Sequence, residues 1–122
     1  MARERIAAVL DIGPAAVMLL VARCLQDGNI EPINEYVAVT ELARNVSVDG
    51  MLSETAIENT IKAALEMQSI AMKEGAQNLI VTASSMIRTA KNRSAFLLKC
   101  NQSLNIYPQV LSNKEEARFA FI

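Results

Sequence analysis

The sequence predicts an α/β fold: a mixed five-stranded sheet with three antiparallel N-terminal strands and flanking helices. Two observations carry this. Short, branched apolar runs come first, Ile6 to Asp11, Ala16 to Arg23 and Ile30 to Val39, separated by the turn chemistry of Gly13-Pro14 and Gln26-Asp27-Gly28-Asn29. A long amphipathic segment then precedes a second apolar strand centre, Leu79-Ile80-Val81, the order in which a helix makes a right-handed crossover to a parallel strand.

Taken in order, Val9-Leu10-Asp11-Ile12-Gly13 ends the first strand in a carboxylate and follows it with a glycine, where backbone approaches a ligand closely. A carboxylate so placed can hold a hydrated metal ion beside phosphate, although a strand-end aspartate is on its own more often a turn former. Pro14 has no amide N–H, and Ala15 and Ala16 have no side-chain donors, so the turn lacks much of what a phosphate loop needs. Near-continuous hydrophobicity in the first two strands predicts helices on both faces of the sheet.

Glu41 to Leu52, with Arg44, Asn45, Asp49 and Gly50 and little periodicity, reads as a loop closing over one edge of the sheet. Ser53 then caps a long helix, with Glu54 and Glu58 complementing its dipole. Glu58, Lys62, Glu66, Ser69 and Lys73 form its polar stripe, and Ile57, Ile61, Ala64, Leu65, Ala71 and Met72 its expected core side. Gly75 is the stop. Asn78 to Ala83 is the next strand, with Ser84 and Ser85 at its C-terminal end, where open α/β sheets bind ligands. Ser94 to Leu104 reads as a helix, Ile106 to Leu111 as a fifth strand that Pro108 directs to an edge, and Asn113 to Ile122 as a helix. Ser112 and Glu115 have capping-box spacing. Glu116, about 100° further round the helix, is left free for another role.

With 52% hydrophobic and 20% charged residues, the 122-residue chain has the composition of one soluble globular domain or part of one. A formal net charge of -1 gives no general attraction to nucleic acid or to an anionic membrane, and no run reaches the ~20 apolar residues that span a bilayer. Arg3 and Arg5 before an apolar stretch imitate a secretory signal, but Asp11, Gly13 and Pro14 interrupt it. Cys24 and Cys100 have no metal-ligand spacing and read as reduced thiols of a cytoplasmic protein. The chain has no histidine, so acid–base chemistry falls to carboxylates. Arg88, Lys91 and Arg93 form a local positive patch, a pattern that is more often a solvated face.

Three blocks carry a family resemblance. They are Ala8-Val9-Leu10-Asp11-Ile12-Gly13 with Leu19-Leu20-Val21-Ala22-Arg23, then Ala83-Ser84-Ser85-Met86-Ile87-Arg88-Thr89-Ala90-Lys91-Asn92-Arg93, and Ser112-Asn113-Lys114-Glu115-Glu116-Ala117-Arg118. The first resembles an opening strand, first phosphate loop and second strand; the others are similar to A-T-S-A-x-R-x-A-x-N and S-G-x-E-E-A-R. Gly50-Met51-Leu52-Ser53-Glu54 matches the start of the first long helix. Order and spacing together resemble the N-terminal half of the actin-like ATPase (ribonuclease H-like) fold and, within it, the exopolyphosphatase and guanosine pentaphosphate phosphohydrolase family.

The resemblance implies an enzyme releasing terminal phosphate from polyphosphate or guanosine pentaphosphate, with a magnesium ion held between two domains. It implies that Asp11 belongs to the metal site, that Gly13 and Arg88 bind phosphate, and that Glu116 activates water. It also implies a C-terminal domain beyond Ile122, without which residues 1–122 are expected to be inactive, and it admits a homodimer; neither nucleic acid nor membrane is an expected partner. The end of the chain inside the apolar Phe119-Ala120-Phe121-Ile122 fits a domain cut before a second phosphate loop.

Two departures stand out. Pro14-Ala15-Ala16 replaces the family's Ser-Asn-Ser or a close variant, and Glu41-Leu42-Ala43-Arg44-Asn45-Val46 replaces R-L-G-x-G-L. The first motivates an alternative, a degenerate member that is catalytically weak or inactive and acts in phosphate or nucleotide sensing or in assembly. A sugar or acid kinase of the same fold is disfavoured by the Arg88 and Glu115-Glu116 blocks.

Overall fold

The computed structural model describes residues 4–112 and Lys114. Its elements are β1 (Arg5–Ile12), β2 (Ala16–Cys24), β3 (Ile30–Val39), α1 (Glu54–Lys73), β4 (Asn78–Ala83), a 3-10 segment (Ser85–Thr89), α2 (Arg93–Leu104) and β5 (Gln109–Val110). The five strands form one sheet in the order β3-β2-β1-β4-β5. β1, β2 and β3 pair antiparallel as expected, while β1 pairs parallel with β4 and β4 parallel with β5. The expected mixed sheet and its flanking helices are therefore present.

Strand periodicity decides which side chains enter the core. Ala8, Leu10 and Ile12 of β1, Val17, Leu19 and Val21 of β2, and Val81 and Ala83 of β4 are buried. α1 packs on β1 and β2, and α2 packs beside α1, adding Phe96, Leu97, Cys100 and Leu104 to the same cluster. Two connections, β3 through α1 to β4 and β4 through α2 to β5, run in the same direction across the sheet, and the common hand of such crossovers places both helices on one face. The expectation of helices on both faces holds, among the described residues, for one face only. On the other, Val9 (36% exposed), Met18 (39%), Leu20 (36%) and Ile80 (50%) remain accessible.

α1 starts where Ser53 Oγ accepts a hydrogen bond from the Ala56 amide at 3.1 Å. It ends through Gly75 at φ +86°, with the Ala76 amide donating to the Ala71 carbonyl, a Schellman-type stop. Its polar stripe is exposed as expected, but its core side is rotated from the expected one. Ala56, Ile57, Thr60, Ala63, Ala64, Met67 and Ala71 are buried, whereas Leu65 and Met72 are exposed. Four alanines let the helix lie close to the sheet, and this small-residue seam overrides the larger side chains about 100° away.

Tyr36 Oη and Asn34 Nδ2 of β3 both donate to the Glu74 carboxylate just after α1, tying the edge strand to the helix end. The bond from Tyr36, and then that from Asn34, holds the Glu74 carboxyl below its ordinary value, while the tyrosine is pushed up. Because the folded-state carboxyl value is depressed, this tie contributes above the ordinary carboxylate range and is lost as pH falls through the lowered value.

Gln68 Nε2 donates to the Leu104 carbonyl at 2.8 Å, joining the helices at the point where Asn105 (φ 60°) ends α2. The fifth strand is shorter than expected, two residues instead of Ile106 to Leu111. Pro108 supplies no amide for a ladder, so pairing begins only at Gln109. Cys24 and Cys100 are free thiols, and burial pushes Cys100 up to about 12. Among the described residues no helix is long and apolar enough to cross a membrane.

Candidate functional site

The site is defined by the C-terminal ends of the parallel strands β1 and β4. Asp11 is the penultimate residue of β1, paired across the sheet with Met18 on one side and Thr82 on the other. The period of two directs its side chain away from the helices, on the face opposite Leu10 and Ile12. Its carboxylate accepts a hydrogen bond from Thr82 Oγ1 at 2.7 Å. The Ser84 amide donates to the Ile12 carbonyl at 2.9 Å, so the chain leaving β4 stays beside the chain leaving β1.

The turn after Asp11 is held by main-chain groups. The Gly13 amide donates to the Ala16 carbonyl at 2.9 Å, and a Cβ on Gly13 would come within 3.1 Å of that same oxygen. The tightness of this approach is why glycine stands there. The Ala15 carbonyl accepts from the Thr40 and Glu41 amides at 3.0 and 2.9 Å, and the Pro14 carbonyl from the Ala43 amide at 2.9 Å. Any residue supplies a carbonyl, so Pro14-Ala15-Ala16 keeps the shape of the turn while lacking the donors of a Ser-Asn-Ser sequence.

Those same bonds anchor the loop after β3, whose Leu42 is fully buried. Asn45, at the position of the second glycine in R-L-G-x-G-L, has φ 59°, a left-handed conformation that asparagine tolerates better than most side chains. Glu41, at the arginine position, forms an exposed ion pair with Arg44. That hydrogen bond raises the guanidinium value of Arg44, and the pair balances the charge of Glu41.

Arg88 is exposed in the 3-10 segment that follows β4. Its Nε and a terminal nitrogen donate to the Leu111 and Val110 carbonyls, each at 3.3 Å. These long contacts hold the guanidinium at the end of β5, and among the described residues it forms no ion pair with Asp11. Asp11, Gly13 and Arg88 thus stand at or just beyond the C-terminal ends of the neighbouring strands β1 and β4, without an ion pair between Asp11 and Arg88. Glu116 lies outside the described residues, as does Glu115 of the expected capping box.

Sequence reasoning assigned no role to two side chains that shape this end of the sheet. Thr82 is one, its signal hidden because a single threonine in an apolar strand reads as β-propensity alone. Asn92 is the other. Its Oδ1 accepts from the Leu52 amide at 2.9 Å and its Nδ2 donates to the Leu52 carbonyl at 3.0 Å, an imitation of a strand pair across 40 residues of sequence. The Lys91 amide adds a bond to the Gly50 carbonyl at 3.0 Å. Asn92 occupies the cap position of α2 without capping it, because its side chain is engaged here. Replacing Asn92 with alanine leaves the buried Leu52 backbone short of partners. It is expected to lower the unfolding free energy by about 1–3 kcal/mol and to speed amide exchange across residues 47–52, measured by denaturation and hydrogen exchange.

Among the described residues, no group of three or more His, Cys, Asp or Glu side chains could hold a metal ion. Asp11 is a single carboxylate with one oxygen engaged by a neutral donor. This donor set fits a magnesium ion bound through one carboxylate with water and phosphate oxygens completing its shell, and does not form an all-protein cage.

Comparison with known proteins gives the family and the fold. Residues 20–122 match the family model described as the Ppx/GppA phosphatase family. The chain is 27% identical over 114 residues to Exopolyphosphatase 1 of Mycobacterium tuberculosis, covering 93% of this chain and 33% of that protein. It is 25% identical over 119 residues to the guanosine-5'-triphosphate,3'-diphosphate pyrophosphatase of Pseudoalteromonas atlantica, covering 98% of this chain and 24% of that protein. The crystal structure of the Aquifex aeolicus Ppx/GppA family member superposes with a TM-score of 0.88 at 28% identity, over 98% of this chain and 39% of that one. The chain therefore spans about a third or less of the length of these curated relatives. The sheet and its flanking helices are those of the actin-like ATPase fold, and the chain belongs to the Ppx/GppA phosphatase family.

Proposed function

We propose that this chain forms the N-terminal part of a cytoplasmic phosphohydrolase that removes the terminal phosphate of polyphosphate or guanosine pentaphosphate. The observation that carries the reading is the Asp11-Ile12-Gly13 turn at the end of β1, beside the Ser84 to Arg88 segment leaving β4, in a chain of this family.

In this reading Asp11 anchors a magnesium ion through one carboxylate, and the ion supplies neutralisation of phosphate charge. Gly13 gives the phosphate close access to the backbone. Arg88 offers its remaining N–H groups to phosphate oxygens from the end of β5, and Glu116 orients the attacking water and accepts its proton. Phosphoryl transfer asks chiefly for such positioning and charge stabilisation, which a site without histidine can provide. A second domain, as the greater length of the relatives suggests, completes the site, and the whole protein acts as a monomer or homodimer.

The test uses the longest form that the coding sequence specifies, assayed for phosphate release from each of the two substrates. Glu116→Gln is expected to lower turnover by about a hundredfold or more with unchanged thermal stability. Unchanged turnover removes Glu116 from the mechanism.

A second reading rests on a specific observation, the absence of donors in Pro14-Ala15-Ala16. It holds that the turn keeps its main-chain geometry while phosphate affinity has decayed, leaving a weak or inactive protein for sensing or assembly. Turnover by the unmodified protein at the level of its relatives excludes it.

A further inference from the structure

We infer that Thr82 is the positioning residue for Asp11: its hydroxyl fixes the carboxylate so that one oxygen is held within the sheet and the other is presented to a divalent cation. The inference rests on the assignment of Asp11 as the metal anchor under the proposed function.

Thr82 is suited to this by its place in the fold. Its backbone is paired on both sides, to Asp11 of β1 and to Gln109 of β5, so its Cα is fixed from two directions. It is only 8% exposed, and a β-branched side chain in a strand has few rotamers. The hydroxyl therefore stands as a rigid donor 2.7 Å from Asp11 Oδ1. On the other side of Asp11 is Met18, which offers no hydrogen bond strong enough to compete.

An ionised aspartate accepts only, so the hydroxyl hydrogen points to the carboxylate and the second oxygen is turned away from Thr82. Without that bond the Asp11 side chain at the half-open strand end samples other χ1 wells, and each cation it binds must first select the productive one. Held by Thr82, the carboxylate enters binding already oriented, as donors to metal-ligating carboxylates generally ensure.

The experiment compares the isotopically labelled protein, in the longest form that the coding sequence specifies, with Thr82→Val, which keeps the β-branched shape without a hydroxyl, and Thr82→Ser, which keeps the hydroxyl. Thr82→Ala serves as a second hydroxyl-free variant if valine impairs folding, which amide spectra and thermal unfolding report. Three-bond couplings of the Asp11 β-protons, measured without metal, are expected to show one χ1 rotamer in the wild type and Thr82→Ser and averaging in Thr82→Val. Manganese(II) is the metal probe, titrated by paramagnetic broadening of the Asp11 signals. Its affinity is expected to fall about tenfold or more in Thr82→Val and to return with serine.

A valine variant that binds manganese like the wild type overturns the inference, as does a serine variant that behaves like valine. A wild type with a fixed Asp11 rotamer and no manganese uptake also overturns it, by removing the cation. None of these readouts involves turnover. Failure of the Thr82 effect and absence of phosphohydrolase activity are therefore separate results.

Discussion

Asp11→Asn is expected to lower magnesium-dependent phosphate release by about a hundredfold, or about 3 kcal/mol of transition-state stabilisation, in the full-length protein. The change keeps the shape of the side chain, and the amide oxygen can still accept from Thr82 Oγ1, so the strand end keeps its hydrogen bond. What is lost is the negative charge that, in the proposed function, draws a cation to the end of β1. The core contacts of Leu10 and Ile12, on the opposite face, are untouched. Thermal unfolding should therefore stay close to that of the wild type while turnover falls. Turnover within a few-fold of the wild type, with unchanged magnesium dependence, would place the cation elsewhere.

Replacing Pro14, Ala15 and Ala16 together by serine, asparagine and serine is expected to strengthen phosphate binding and raise phosphate release by about a hundredfold or more. Charge-assisted hydrogen bonds contribute ~1.5 to 3 kcal/mol each, and the substitution adds two hydroxyls, one side-chain amide and one backbone donor. Orthophosphate titration and initial rates on polyphosphate measure the two effects. The structure makes the fold tolerant of the change. The carbonyls of residues 14 and 15 carry the bonds to the Thr40, Glu41 and Ala43 amides, and these do not depend on side chains. The tight Gly13 approach is left intact. A variant that folds and gains neither affinity nor rate would show that the turn does not contact phosphate.

Much of the architecture was legible because local patterns and the fold agree. The ranges of β2, β3 and β4 follow from apolar runs bounded by Gly13-Pro14, Gln26 to Asn29 and Gly75-Ala76-Gln77. The start and end of α1 follow from Ser53 and Gly75, where a cap and a left-handed stop are chemically demanded. The two neighbouring strand ends that form the candidate site were legible as well, since a carboxylate and glycine after a buried strand, and a serine pair after another, mark strand ends.

Other features required the neighbours of each residue to be known. Leu65 and Met72 are as apolar as Ile57, yet they face outward because close contact with the sheet selects the alanine seam of α1. Asn92 gave no local signal of its clamp, since its partner Leu52 is 40 residues away. The accessible face of the sheet follows from crossover handedness, which no single strand encodes.

Asp11 shows the division most clearly. Its residue type, the glycine that follows and its position at the end of a strand are properties of the chain itself, and they determine that a carboxylate stands where a ligand can approach. The orientation of that carboxylate was decided only in the tertiary structure. Thr82, 71 residues further on, meets it through the parallel pairing of β1 with β4, and hydrogen-bond geometry acts between atoms brought together in space, whatever their separation along the chain.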